Sequence, residues 1–559
     1  EPPQQPGQVR FEAQCQREGV VDFAELLLRT YEVLKKNEVL AEHYRRRFTH
    51  ILVDEFQDTN ELQYKWLKLL GGVATGHPSA VFAVGDDDQS IYAFRGADVG
   101  NMRDFEREYK VANVVRLEQN YRSHGNILDA ANAIIRNNDN RLGKNLWTDA
   151  GAGEPIRVFE AYSDLDEARW IVEEIKALAR DGHARAEIAL LYRANAQSRV
   201  LEHALFSAGL PYRVYGGLRF FERQEIKHAL AYLRLIANPD DDTSFVRVVN
   251  FPARGIGART VETLQDAAKA AGSSLFAAAA QSGGKAAGFV ALIGRMTEVA
   301  HLPLPELVDH VVELSGLRAH YKAEKEGQDR LANLDELVNA AASFVAEEGV
   351  VGAEGELSAD LIAFLAHAAL EAGEHQAGEG DDALQLMTVH SAKGLEFNVV
   401  FLSGLEEGLF PHENSAAEPK GLEEERRLMY VAVTRARQRL YLSHAQTRML
   451  HGQTRYNLPS RFIEEVPAGL IKWLTPKAPK SFGASPRLTS VQEPRASYSA
   501  RPGSDGGGWR IGQGVRHAKF GEGVIVNLEG GGADARAQIN FGGAGMKWLA
   551  LAVAKLEAA

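Results

Sequence analysis

The sequence predicts an α/β protein that carries a mainly helical insertion and ends in a small β-barrel. Three observations predict it. Short β-rich runs alternate with longer helical patterns up to about residue 236 and again from 384, the rhythm of parallel-sheet domains. Between 237 and 379 strand signals fade and Ala, Leu and Glu dominate, with Ala277-Ala278-Ala279-Ala280 as the extreme. After 509, short β runs such as Gly523–Val526 and Ala537–Phe541 are punctuated by glycine.

Residues 1–47 open as a Pro/Gln coil and then read as helix, with Phe23, Leu26, Leu27, Tyr31, Leu34 and Leu40 forming one amphipathic stripe. Strands follow at His50–Val53, Ala80–Val84 and Asn113–Leu117. The alternation continues with a strand at Ile156–Phe159, a helix over 165–180, a strand at Glu187–Tyr192 and a helix over 197–208. Beyond the helical stretch, strands return at Leu384–Thr388, Asn398–Leu402 and Arg439–Leu442. Residues 466–508 are rich in Pro, Ser, Ala and Gly with an excess of Lys and Arg, and read as a flexible cationic linker.

Composition bounds the function. With 45% hydrophobic and 25% charged residues, a chain disordered throughout is excluded. No apolar run reaches the roughly 18 residues of a membrane span. Cys15 is the only cysteine, which excludes an internal disulfide framework and a Cys-based zinc finger. The opening Glu1–Pro6 has neither the basic start nor the apolar stretch of a signal peptide, so a reducing cytoplasm is the expected location. The net charge of −12 argues against a uniformly basic surface but leaves room for a basic groove on an acidic body.

Several constellations carry chemistry. Ile51-Leu52-Val53-Asp54-Glu55 is an apolar strand ending in two acids, a Walker B pattern. In that pattern Asp54 holds Mg²⁺ through water and Glu55 polarises the attacking water. The next strand runs into Gly85-Asp86-Asp87-Asp88-Gln89, where Gln89 is placed to sense a γ-phosphate. Tyr92, Phe94 and Arg95 follow within one short loop and suit base stacking and phosphate pairing. In Gln119-Asn120-Tyr121-Arg122-Ser123, an aromatic followed by an arginine suits adenine stacking and γ-phosphate contact. Thr388–Phe397 and Tyr430–Arg437 come later, and Arg435 is a second candidate arginine finger.

In order and spacing these motifs resemble the UvrD/Rep/PcrA family of superfamily 1 helicases. The resemblance implies two RecA-like motor domains that clamp ATP and Mg²⁺ between them and move 3′→5′ along single-stranded DNA. It implies that Gln89 and Arg95 couple nucleotide state to DNA, that Tyr121 stacks adenine, that Arg122 and Arg435 reach the γ-phosphate, and that Glu396 contacts the nucleotide sugar. Tyr92 and Phe94 become part of the base-stacking track, with Phe94 where the family usually has tryptophan. Arg193, Asn195 and His390 match positions that touch single-stranded DNA. Gly255 and Gly257, in Arg254-Gly255-Ile256-Gly257, resemble an element whose backbone amides grip duplex phosphates. His451, in Arg448–Gln453, matches the hairpin that splits the duplex, where some relatives carry an aromatic ring. The terminal segment around Gly514–Gly523 resembles a Tudor-like module that implies repair-protein or RNA polymerase contact, a DNA-contacting appendage being the other reading. Single-stranded DNA and junctions with a 3′ tail are the implied substrates.

On this reading residues 1–113 are the C-terminal part of the first motor domain with a remnant of its insert. Residues 114–236 and 380–465 are the two parts of the second motor domain, 237–379 the helical insert, 466–508 the linker and 509–559 the barrel. Such a motor needs a phosphate-binding Gly-x-x-x-x-Gly-Lys-[Ser/Thr] loop. The chain has no Gly-Lys followed by Ser or Thr; Gly143-Lys144-Asn145 and Gly284-Lys285-Ala286 lack the hydroxyl. The expectation is therefore a helicase lacking its N-terminal part and inactive alone. The alternative is a non-catalytic DNA-binding or adaptor fragment built on the second motor domain, the insert and the barrel.

Overall fold

The computed structural model describes residues 14–15, 17–73, 79–139, 141–324, 327–348, 359–373, 381–450 and 453–475. Towards the C-terminus it describes 514–517, 521–529, 536–540, 546–551 and 556–558. The chain divides into two units, 1–478 and 479–559.

In the first unit, helices Phe23–Lys36 and Glu38–Arg47 replace the single predicted helix. Asn37 ends the first in extended geometry and caps the second, its side chain accepting from the Leu40 amide at 3.0 Å. Strands β1 (His50–Val53) and β2 (Ala80–Ala83) pair in parallel, joined by helix Glu61–Gly71, which Asn60 and Gln63 start with a reciprocal capping box. The strand expected at 113–117 does not form. Those residues belong to no sheet, and Val115 and Leu117 are exposed, since hydrophobic alternation needs a neighbouring strand before it becomes a strand.

The large sheet holds seven parallel strands in the order β10 (Ile471–Trp473), β3 (Ile156–Ser163), β8 (Ala436–Leu450), β7 (Phe397–Leu402), β4 (Ile188–Tyr192), β6 (Leu384–Thr388) and β5 (Tyr212–Val214). A further strand, β9 (Gln453–Tyr456), returns antiparallel on β8. Because successive side chains point to opposite faces, Ala189, Leu191, Val400, Leu402, Leu440 and Leu442 build one core. Ile188, Leu190, Tyr192, Val399, Phe401 and Tyr441 build another. A sheet covered on both faces explains why these strands read as unbroken apolar runs. Because β10 pairs with β3 in register Ile471↔Ile156, Ile471–Trp473 belong to this sheet and not to the linker expected from 466.

Among the described residues no strand lies between β5 and β6; helices run from Gln224–Ala237 to Ala359–Gly373. Their common core begins at Phe220, earlier than the boundary expected at 236/237. Helix Gln224–Ala237 explains the shift. It is buried on most sides, with Ile226, Leu230, Tyr232, Leu233 and Ile236 among the buried residues, as befits a helix at the centre of a bundle.

The second unit is a five-stranded antiparallel sheet in the order β14 (Met546–Ala550), β13 (Arg536–Asn540), β12 (Gly521–Glu529), β11 (Gly514–His517) and β15 (Leu556–Ala558). It closes over a small core of Val515, Ile525, Ala537 and Ile539.

Candidate functional site

The predicted chemistry sits where it does because parallel strands deliver their C-terminal ends to one edge, the place where open α/β sheets bind ligands. Loops leave β1 at Asp54, β2 at Val84, β4 at Arg193 and β6 at Val389.

Glu55 adopts left-handed backbone geometry (φ 49°, ψ 42°), which costs a non-glycine residue about 1–2 kcal/mol and turns the chain sharply after the strand. Asp54 accepts from the Glu55 amide at 2.9 Å. Buried Gln57 donates to Glu55 and accepts from the Asp86 amide at 2.9 Å, joining the β1 loop to the β2 loop. A Cβ at Gly85 would lie 2.7 Å from Gln57 Oε1, so any side chain there displaces the Gln57 amide from this crossing. Gln89 donates to Asp86 at 2.7 Å. The acids beside it are neutralised locally: Asp88 takes two bonds from Arg141 at 2.7 and 2.6 Å, and Asp86 pairs with Lys144.

Lys393 was not singled out in the sequence, yet it links three of these loops. Its ammonium lies 2.7 Å from Asp58 Oδ2, 3.3 Å from Glu55 Oε2 and 3.0 Å from the Gln89 carbonyl, and 5.2 Å from the centre of the Tyr92 ring. Burial pushes the Asp58 carboxyl up, against the pull of this ammonium. The only sequence signal was a lysine inside the Thr388–Phe397 motif.

Tyr121 is 84% exposed, its ring face open and its hydroxyl tied to Gln119 at 2.9 Å. Arg122 donates to Glu396, so the side chains expected on phosphate and sugar lie on each other. The Arg122 guanidinium holds the Glu396 carboxyl below the usual range.

Arg435 is not at the surface as an open finger: it is 1% exposed. It donates to the carbonyls of Val431 and Leu395, both at 3.0 Å, and to Thr434 Oγ1 at 3.2 Å. Among the described residues it has no carboxylate partner in an ion pair. Burial, helped by Arg122, lowers its pKa to about 10, which leaves it charged at neutral pH.

The aromatic residues also converge. Tyr92 and Phe94 lie 6.0 Å apart, and His390 meets Phe94 edge-on at 5.6 Å. Arg95 sits 5.4 Å from both ring centres. Phe94 is 66% exposed and leaves a ring face accessible. Burial, with Arg193 and Arg95 nearby, lowers His390 to about 4, so its imidazole is neutral at pH 7. Arg193 forks onto Glu425, Nη2 to Oε1 at 2.6 Å and Nε to Oε2 at 3.0 Å. Asn195 offers its carbonyl to Arg223 at 3.0 Å. Glu425 and Glu424, which takes the Ala93 amide at 3.1 Å, were not anticipated; their signal was the acidic run in Gly421–Arg427.

Gly255 (φ 72°) and Gly257, the N-cap of helix Ala258–Ala271, lie in the helical body away from this edge, and the Lys285 ammonium rests against Gly255. Strands β8 and β9 pair up to Leu450↔Gln453; His451 lies outside the described residues.

Comparison with known proteins bears on this arrangement. Residues 8–110 match the UvrD/REP helicase N-terminal domain and 115–447 the UvrD-like helicase C-terminal domain. The chain belongs to the UvrD/PcrA helicase family. Its last segment, 511–557, matches the PcrA/UvrD tudor domain. This family member is 51% identical over 560 residues to DNA helicase II of Escherichia coli (strain K12), covering 98% of this chain and 75% of that relative. It is 41% identical over 562 residues to the ATP-dependent DNA helicase PcrA of Bacillus subtilis (strain 168), covering 96% and 74%. With the ATP-dependent DNA helicase UvrD1 of Mycobacterium tuberculosis (strain ATCC 25618 / H37Rv) it shares 41% over 568 residues, covering 96% and 73%. The expectation that an N-terminal part is lacking draws no support from these matches. No helix among the described residues is long and apolar enough to cross a membrane.

Proposed function

We propose that this helicase couples ATP hydrolysis to 3′→5′ movement along single-stranded DNA and to duplex separation at junctions with a 3′ tail. The observation that carries the reading is Gln89–Arg95. One short segment bonds to the nucleotide-side acids at Gln89 and, a few residues on, presents Tyr92 and Phe94, with Lys393 and His390 of the other sheet against it. In this proposal a change in nucleotide state at one end of the segment is passed to the other.

In this proposal Tyr121 stacks adenine, Glu396 releases Arg122 to hold the sugar, and Arg122 and Arg435 take the γ-phosphate. Glu55 orients the attacking water. Asp54 fits Mg²⁺: it is an exposed carboxylate at a strand end, with one oxygen engaged only by a backbone amide, and carboxylate with water is the donor set this ion takes. Bound there, Mg²⁺ neutralises phosphate charge. Phe94, Tyr92 and His390 hold bases, with Arg193, Asn195 and Arg95 along the strand. Gly255 and Gly257, with Lys285, meet duplex phosphates at a helix N-terminus. His451, by its family match alone, acts in duplex separation. The tudor unit contacts a repair protein or RNA polymerase, and the setting is the cytoplasm.

Phe94→Ala is expected to weaken single-stranded DNA binding about 5- to 150-fold, the loss of one stacked base at about 1–3 kcal/mol. The salt dependence stays unchanged because no phosphate contact is removed. Fluorescence anisotropy at several salt concentrations reads both; an unaltered Kd sinks the stacking role.

The same 559 residues contain no Gly-Lys-[Ser/Thr]. We propose that by themselves they hydrolyse ATP far more slowly than a motor with a phosphate-binding loop. DNA-stimulated ATPase of the purified chain decides this, and turnover at the rate of a complete motor refutes it. Forked-DNA affinity that is also indifferent to an ATP analogue marks the non-catalytic adaptor reading instead.

A further inference from the structure

Far from the strand-end edge, three helices bring two histidines and two glutamates together. His203 comes from helix Ser198–Ser207, which packs on the large sheet. Glu347 comes from helix Gly327–Glu348, and His367 and Glu371 from helix Ala359–Gly373, both of the helical body. His367 and Glu371 are four residues apart and share one helix face. Glu371 Oε1 lies 2.7 Å from His203 Nδ1 and 2.9 Å from His367 Nε2. All three donor atoms fall within 4.8 Å of one another.

We propose that His203, His367 and Glu371 form a binding site for one divalent transition-metal ion, with zinc the best fit, which ties the sheet lobe to the helical body. Two imidazoles and one carboxylate are a donor set that Zn²⁺ takes with water as the fourth ligand. A tetrahedral Zn²⁺ with bonds of about 2.0–2.1 Å holds its donors roughly 3.3 Å apart, so Glu371 Oε1 needs to part from each histidine nitrogen by only about half an ångström.

Two further observations point to a ligand rather than to a plain hydrogen-bond network. Glu347 Oε2 lies 3.2 Å from His203 Nε2, the nitrogen that faces away from the cluster. With a carboxylate on each ring nitrogen, both donate in the metal-free state; a metal displaces the Nδ1 proton, and Glu347 then holds the Nε2–H tautomer that ligates through Nδ1. The groups also border a cavity of about 30 Å³, walled in part by Phe221, Phe344 and Phe364, which is room enough for a water or a small ion. Arg199, the other cation bordering it, is engaged with Glu336.

The test uses the untagged full chain, stripped by chelator and titrated with Co²⁺ and then Zn²⁺. The expected result is one Co²⁺ per chain, with visible absorption of tetrahedral intensity that Zn²⁺ abolishes. His203→Gln and His367→Gln, verified as folded by circular dichroism, remove it, and Glu347→Gln weakens it about 10- to 100-fold. No stoichiometric binding, or equal binding by the His203→Gln/His367→Gln double variant, overturns the proposal. Should a variant not fold, X-ray absorption of the Zn²⁺-loaded native chain decides: two imidazoles support the site, and any other number refutes it.

Discussion

In a form of this helicase that carries a phosphate-binding loop, Arg435→Ala lowers kcat for DNA-stimulated ATP hydrolysis by about 10³-fold or more, the range an arginine on a transferring phosphoryl group supplies. Affinity for single-stranded DNA without nucleotide stays unchanged, because Arg435 lies among the carbonyls of Val431 and Leu395 and not among the stacking aromatics. The structure adds a complication. Removing a buried guanidinium leaves those carbonyls without their donor, which costs about 1–3 kcal/mol of folding stability. Arg435→Lys separates the two effects. It keeps the charge and part of the packing but cannot present a planar fork, so it restores thermal stability more than turnover. Steady-state ATPase with melting curves for both variants checks this; normal turnover in Arg435→Ala refutes the assignment.

Arg448→Met is expected to destabilise the first unit by about 3–5 kcal/mol, the cost of leaving buried charge without its partner. Arg448 lies between Glu406, which is 1% exposed, and Glu167, with Nη2 2.8 Å from Glu406 Oε1. Glu406 also takes the Ala445 amide at 2.7 Å, and Glu167 takes the Ser443 hydroxyl at 2.6 Å. Burial already raises the Glu406 carboxyl above its ordinary value while Arg448 pulls it down. Without the arginine it rises further. A group whose folded pKa is raised stabilises below its unfolded pKa and loses that contribution as pH rises through the folded value. The deficit of Arg448→Met is therefore largest at pH 7–8 and shrinks towards pH 5. Urea unfolding of both proteins across that range reads it, and a pH-independent difference contradicts the buried-charge account.

What the sequence made legible follows the range of the forces involved. His50–Val53 and Leu384–Thr388 could be bounded to the residue because an unbroken apolar run ended by polar residues is a local signal. Val114-Val115-Arg116-Leu117 gave the same signal and misled, because only a partner strand turns such a run into sheet. The Asn37 break was missed because one capping asparagine scarcely alters a helical periodicity. In the site, Asp54, Glu55, Gln89 and Arg122 stood out since each belongs to a compact motif. Lys393, Glu425 and Gln57 did not. Lys393 acquires its role from Asp58, and Glu425 from Arg193, hundreds of positions away in the chain. Gln57 looked like filler between acids until Gly85 was seen to cross it.

The strand order of the large sheet has a consequence for biosynthesis. Strands β3, β4 and β5 never pair with one another: β3 lies between β10 and β8, β4 between β7 and β6, and β5 beside β6 alone. Every hydrogen-bonded partner of these three emerges from the ribosome after the whole helical body. From Val214 to Leu384 is 384 − 214 = 170 residues, which at about 5–20 residues per second takes roughly 10–30 s. For that interval the nascent chain carries three apolar strands with open edges, the condition that invites aggregation. The helical body, whose helices contact chain neighbours, is able to fold meanwhile. Its early completion brings the ends of β5 and β6 together, so the insert acts as the clasp that lets the sheet close.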